Sequence, residues 1–161
     1  MKKTLLAVAA ILAVATPVLA QNAGQIASVR AGHDCRGCNL FQADLSGFEK
    51  RGLNLTGSRL RQADMSLAVM NHTRFANTDM RDVEAYGGVF SGSNFSGANL
   101  TNASFVGAYL EGASFAGATL AGANFSGAQL NRATGLTQRQ LNQACGDATT
   151  ALPGSLRIPA C

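Results

Sequence analysis

The sequence predicts an all-β solenoid, a chain wound into stacked coils, on three observations that share one period. From Leu40 to Leu130 there are 19 positions numbered in multiples of five, and 17 carry Leu, Phe or Met, the exceptions being Lys50 and Ala85. Two residues before most of them stands a small residue, as at Ala43, Ser58, Ala63, Ala98 and Ala123. Two residues after comes Gly in eleven of the 19, as at Gly92, Gly97, Gly107 and Gly112. Neither the period of about 2 of a strand nor the period of about 3.6 of a helix generates this pattern. A large apolar side chain and a small one three residues later must both point inward. The chain therefore turns a corner about every five residues, with Gly and Asn easing the turn.

The chain begins with a different signal. Lys2 and Lys3 precede the apolar run Leu5 to Ala15, Pro17 breaks the run, and Val18-Leu19-Ala20 has the small-residue pattern of a cleavage site. Residues 1–20 thus read as a secretory signal peptide, and the expected mature chain of 141 residues is periplasmic or secreted. The run is too short for a membrane span of about 20 residues, and no second candidate follows. Residues 21–38 are read as an N-terminal cap segment. Without Lys2 and Lys3, 11 basic side chains face 9 acidic ones, most of them between residues 30 and 84. From Tyr86 to Asn131 the only charged residue is Glu111. No basic patch suited to nucleic acid or to an anionic membrane results.

Residues 39–134 carry the repeat, and a unit such as Ala123-Asn124-Phe125-Ser126-Gly127 resembles the pentapeptide-repeat family. The resemblance implies a right-handed quadrilateral β-helix of about 4–5 coils, each with four five-residue sides, stacked at roughly 4.8 Å. Residues twenty apart then stack. The core columns begin at Leu40, Leu45, Lys50 and Leu55. Ala85 is offset by Val83 in the small inward place, and Lys50 by Phe48 and Leu53. In the first coil the Lys50 amine can reach solvent through the open end. The best-known functional members of the family resemble duplex DNA and bind topoisomerase in the cytoplasm, on strong negative charge along the rod. This chain is slightly basic and reads as exported, so that function is not implied.

Residues 135–161 follow the repeat. Thr137 and Gln140 are placed as a capping box and Leu136 and Leu141 as a hydrophobic staple, predicting a capping helix over 138–145 and an irregular tail with Pro153 and Pro159. The spacing of Gly135-Leu136-Thr137, Cys145-Gly146-Asp147, Leu152-Pro153 and Cys161 resembles the tail of exported members of the family. An even count of four cysteines in an exported chain favours disulfides. On a β-helix the two ends lie roughly 23 Å apart, beyond the 7 Å or so that a disulfide spans. The expected pairs are therefore Cys35–Cys38 and Cys145–Cys161.

Little else in the chain suggests chemistry. His33, Cys35 and Cys38 suggest a metal or redox site, but no fourth ligand is nearby and no helix N-terminus follows to stabilise a thiolate. Catalysis needs converging groups in a pocket, and after Cys38 the only histidine is His72, in a turn position. No enzyme and no cofactor are expected. Asn-x-Ser/Thr triplets at Asn54, Asn99 and Asn124 arise from the repeat itself. Asp44, Asp64 and Glu84 form an outward acidic ladder, with Arg61 and Arg81 expected to compensate it across a corner. Val69, Val89 and Tyr109 form an outward apolar stripe, a candidate contact surface for a protein. Packing of Ile26 to Arg30 along that side is the alternative. The function expected is a non-enzymatic exported structural or interaction protein with an unknown protein partner. The uncharged Ser/Thr/Asn faces of residues 91 to 131 suggest cell-wall glycan as another partner.

Overall fold

The computed structural model describes residues 21–161, so the signal-peptide reading of 1–20 lies outside the described residues. From Asn39 to Thr134 the chain winds into a four-sided coil in which each rung from Asn39 to Ser114 pairs in parallel with the rung twenty residues on. The first side stacks Asn39, Arg59, Asp79, Asn99 and Thr119 outward, and the second Asp44, Asp64, Glu84, Ser104 and Asn124. The third stacks Glu49, Val69, Val89, Tyr109 and Gln129, and the fourth Asn54, Arg74, Asn94, Ser114 and Thr134. The residues flanking these rungs point inward, apart from Lys50 in the first coil and Gly135 after the last rung, which is the five-residue pattern expressed in space. Leu40, Leu60, Met80, Leu100 and Leu120 are all fully buried, as are six phenylalanines from Phe75 to Phe125. Phe75, Phe95 and Phe115 stack face to face, with centroids 5.0 and 5.2 Å apart. Edge-on contacts from Phe90 and Phe105 lock them across the core.

The corners are shaped by local hydrogen bonding. Eight outward Asn or Asp side chains, such as Asp64, Asn99 and Asn124, accept the backbone N–H two residues on. Three of the Asn-x-Ser/Thr triplets are therefore corner chemistry, because Asn54, Asn99 and Asn124 each spend their oxygen this way. Ala85 and Val83 are both fully buried, so volume is indeed exchanged between the two inward places.

Buried hydroxyls in the small inward places give a paired test. Thr78 Oγ1 donates to the Phe75 carbonyl at 2.6 Å, whereas the fully buried Thr73 Oγ1 has no hydrogen-bond partner among the described residues. Thr73→Val should raise stability by about 1 kcal/mol and Thr78→Val lower it by about as much. Thermal denaturation of the two variants checks the opposite signs.

Both ends are covered. At the N-terminal end lies α1 (Ala23–Arg30), capped by the Asn22 side chain, which accepts from the Gln25 N–H. The sequence pattern marked a cap segment over 21–38 and assigned it no secondary structure. Eight residues with one buried side chain, Val29, carry no periodic signal to read. The helix is tied to the first and second sides: Gln25 accepts the Asn39 N–H, and Gln21 and Arg30 donate to the carbonyls of Gln42 and Asp44. This corrects the alternative that Ile26 to Arg30 packs along the third side. Lys50 is exposed, and its stem passes beside Gly32 at the mouth of the coil.

At the other end α2 (Gln138–Leu141) has the capping box formed by Thr137 and Gln140. Gln140 Nε2 also donates to the carbonyls of Phe115 and Ala118, satisfying groups that the last coil leaves open. The helix is half as long as the 138–145 read from the sequence. Cys145 instead rejoins the coil as a rung on Asn124, and Ala151 does so on Gln129. Those edge hydrogen bonds, from Cys145 N–H to Ala123 and from Phe125 N–H to Cys145, compete with helix extension and win. The tail is held further by Asp147. Hydrogen bonds from the Thr149 hydroxyl and backbone, and from the Gly127 N–H, keep its carboxyl below the usual range.

Candidate interaction surface

The third side differs chemically from the other three. On those sides the outward rungs are Asn, Asp, Ser, Thr, Arg or Glu, and the eight corner-capping side chains all lie there. The third side, with polar rungs only at Glu49 and Gln129, carries none of these eight capping side chains. Val69, Val89 and Tyr109 occupy places where an Asn or Asp would hold the following corner, and Tyr109 is 53% exposed. The corner joining the second side to the third widens this stripe. Leu67 and Tyr86 are 60% and 57% exposed, and Val106 stacks above Tyr86. Leu67 takes a left-handed conformation at φ 57° in a column otherwise made of Gly47, Gly87, Gly107 and Gly127. Its side chain lies over the bare Gly87 of the next coil. An isoleucine or valine would suffer more at such a φ, and a polar residue is the common solution. The result is a six-residue apolar patch on a rigid support, with Leu67, Tyr86 and Tyr109 exposed and Val69, Val89 and Val106 half-buried.

Sequence reasoning found Val69, Val89 and Tyr109 but not Leu67, Tyr86 and Val106. The signal was there: each is a large apolar residue in a corner place where the repeat puts Gly, Asn or Ser. At the foot of the stripe a shallow cavity of about 410 Å³ is lined by Glu49, Lys50, Arg51 and Val69.

The remaining sequence candidates fall elsewhere. Cys35 and Cys38 are bridged across the corner between the fourth and first sides, with Cα atoms 5.6 Å apart. Ser58 Oγ accepts the Cys38 N–H and donates to the Cys35 carbonyl, tying this corner to the coil above. Cys145 and Cys161 are bridged at the opposite end, with Cα atoms 4.8 Å apart. His33 is exposed, and among the described residues no three His, Cys, Asp or Glu side chains converge as a metal site. His72 sits exposed at a corner, its ring against Gly92. The acidic ladder is a correction. Arg61 pairs with Asp82 at 3.4 Å and Arg81 with Asp79 at 2.7 Å, not with Asp64 or Glu84. The arginines stand in the corner that follows the first side, where Asp79 lies two residues back from Arg81 and Asp82 lies in the same corner one coil on from Arg61. Arg81 holds the Asp79 carboxyl below its usual range, chiefly through its hydrogen bond.

Two family models described as pentapeptide repeats match the chain, over residues 51–84 and 90–134. No curated protein matches it. Among solved structures, QnrB1, a plasmid-mediated fluoroquinolone resistance protein, is similar at 20% identity over 74% of this chain and 79% of that one, with a TM-score of 0.47. HetL of the cyanobacterium Nostoc sp. strain PCC 7120, involved in heterocyst differentiation regulation, is similar at 21% identity over 76% of this chain and 58% of that one (TM-score 0.42). A protein of the Arabidopsis thaliana thylakoid lumen is similar at 31% identity over 64% of this chain and 72% of that one (TM-score 0.37).

Proposed function

The chain belongs to the pentapeptide-repeat family, and on that premise we propose that it is a non-enzymatic, exported interaction protein that presents the third side of its β-helix to a protein partner. The observation that carries the reading is the chemistry of that side. A solvated β-helix side gains from corner-capping Asn and Asp, and here those places hold Val69, Val89 and Tyr109, flanked by Leu67, Tyr86 and Val106. Apolar side chains exposed in a contiguous group lose contact with water only when something covers them. The coil beneath them is solid, so the surface offers a rigid face rather than a cleft, which suits recognition more than turnover. Export is proposed from the basic start, apolar run and small-residue site of residues 1–20. The bridged ends, Cys35–Cys38 and Cys145–Cys161, accord with an oxidising compartment.

The test is affinity capture from the native extracytoplasmic fraction. It compares wild type with a Val69→Asp/Val89→Asp/Tyr109→Asp variant whose fold is checked by circular dichroism. Wild type is expected to retain a partner that the variant loses at least tenfold. Equal capture by the folded variant would overturn the third side as the interface. Equal retention of both on insoluble wall material would point instead to the polar sides and to glycan.

A further inference from the structure

Among the described residues four ion pairs engage Arg30, Arg61, Arg81 and Arg132. Lys50, Arg51 and Glu49 take part in none of them, and no side-chain hydrogen bond engages them among the described residues. These three line the cavity at the foot of the apolar stripe, with Val69 as its upper wall. Lys50 stands where the third core column calls for a large apolar residue, and its exposed stem turns past Gly32 instead of entering the core. Two cations and one anion without an ion-pair or side-chain hydrogen-bond partner among the described residues thus sit at one end of the apolar row.

We propose that this end of the third side takes the free carboxyl terminus of an extended, apolar polypeptide segment. The proposal rests on the reading of the third side as an interaction surface and specifies what that surface recognises. Arg51 offers a planar fork matched to a carboxylate, and Lys50 a second, movable cation beside it. Glu49 accepts the N–H of the terminal residue, so each charged group finds a partner and the pocket discriminates against a second negative charge. The preceding side chains run up the row. From the rung of Glu49 to that of Tyr109 is three steps of roughly 4.8 Å, about 14 Å, which four extended residues at about 3.4 Å each would span. The last four residues of the partner therefore lie against Val69, Val89 and Tyr109, with Leu67 and Tyr86 at the margin.

The experiment uses a fluorescein-labelled pool of pentapeptides with Val, Leu or Phe in the last four positions, made once as free acids and once as C-terminal amides. Fluorescence anisotropy with the full mature chain is expected to show the acids binding at least tenfold more tightly than the amides. A Lys50→Gln/Arg51→Gln variant should bind both pools alike, and Val89→Asp should weaken both. Acids and amides binding wild type equally would overturn the carboxylate site while leaving the third side an interaction surface. Failure of both pools, or an acid preference that survives the double variant, would overturn it as well. Binding of wild type to phosphatidylglycerol vesicles rather than to the acid pool would overturn it in favour of an anionic surface. Loss of the partner in the capture experiment by the Val69/Val89/Tyr109 variant is a separate reading and stands or falls independently.

Discussion

Phe95→Ala should lower the melting temperature by about 10–15 °C, corresponding to a loss of about 3–5 kcal/mol. Phe95 is fully buried at mid-coil, stacked on Phe75 at 5.0 Å and on Phe115 at 5.2 Å, with Phe90 and Phe105 edge-on at 6.2 and 5.8 Å. Removing its ring deletes contacts to four neighbours, and the coil walls have little freedom to close the space. Each wall is tied to the coils above and below, for example by Phe95 N–H to Ser114 and Phe75 N–H to Asn94. The cavity term therefore adds to the transfer term. Phe95→Leu should cost about a third as much, since most of the volume remains. In a stacked array each coil supports only its neighbours, so the loss falls at the middle and threatens to separate the melting of the two halves. Calorimetry is the check. A single transition lowered by less than about 3 °C would show that the coil walls close over the space the ring leaves.

How much of this molecule could be read in advance follows from what the five-residue pattern encodes. Leu40, Met65 and Phe105 are legible as core because a large apolar residue in that register has one inward place to go. Val83 with Ala85 is legible for the same reason, and both are buried. Features that answer to a single local contact were not legible. The helix α1 is held by Gln25 on Asn39 and Arg30 on Asp44, contacts that leave no periodic trace. The early end of α2 depends on Cys145 finding the open edge of Ala123 and Phe125, which is a property of the last coil rather than of the helix sequence. The ion pairs of Arg61 and Arg81 turn on side-chain reach, which register alone does not give. For the candidate surface, half the patch was visible as a stacked row. Leu67, Tyr86 and Val106 were hidden because they stand in corner places, where a search for outward rungs does not look.

The corners themselves supply the second large effect, in which two substitutions that look alike should differ several-fold. Gly57 and Gly135 share a left-handed φ of 71°, so alanine at either position meets the same backbone penalty of about 1 kcal/mol. Eight non-glycine residues, among them Gln62, Asn77 and Asn102, already occupy such corners, which shows that the fold tolerates this penalty. Around Gly57 a Cβ would meet nothing within 4 Å. At Gly135 it would fall 2.5 Å from the Ala116 nitrogen and 2.7 Å from its Cα, backbone atoms that cannot swing aside as a side-chain tip would. Gly135 is where the chain leaves the last coil for α2, and the close approach lets Gln140 reach the carbonyls of Phe115 and Ala118. Gly57→Ala should therefore cost about 1 kcal/mol and Gly135→Ala about 3 kcal/mol or more, because displacement of the C-terminal cap adds to the strain at φ. Hydrogen exchange distinguishes the cause: protection of Gly122 N–H and Phe125 N–H, which pair with Gln143 and Cys145, should fall in Gly135→Ala and persist in Gly57→Ala. Equal losses in the two variants would mean that φ strain alone sets the cost, and that the contact with Ala116 yields more easily than backbone packing allows.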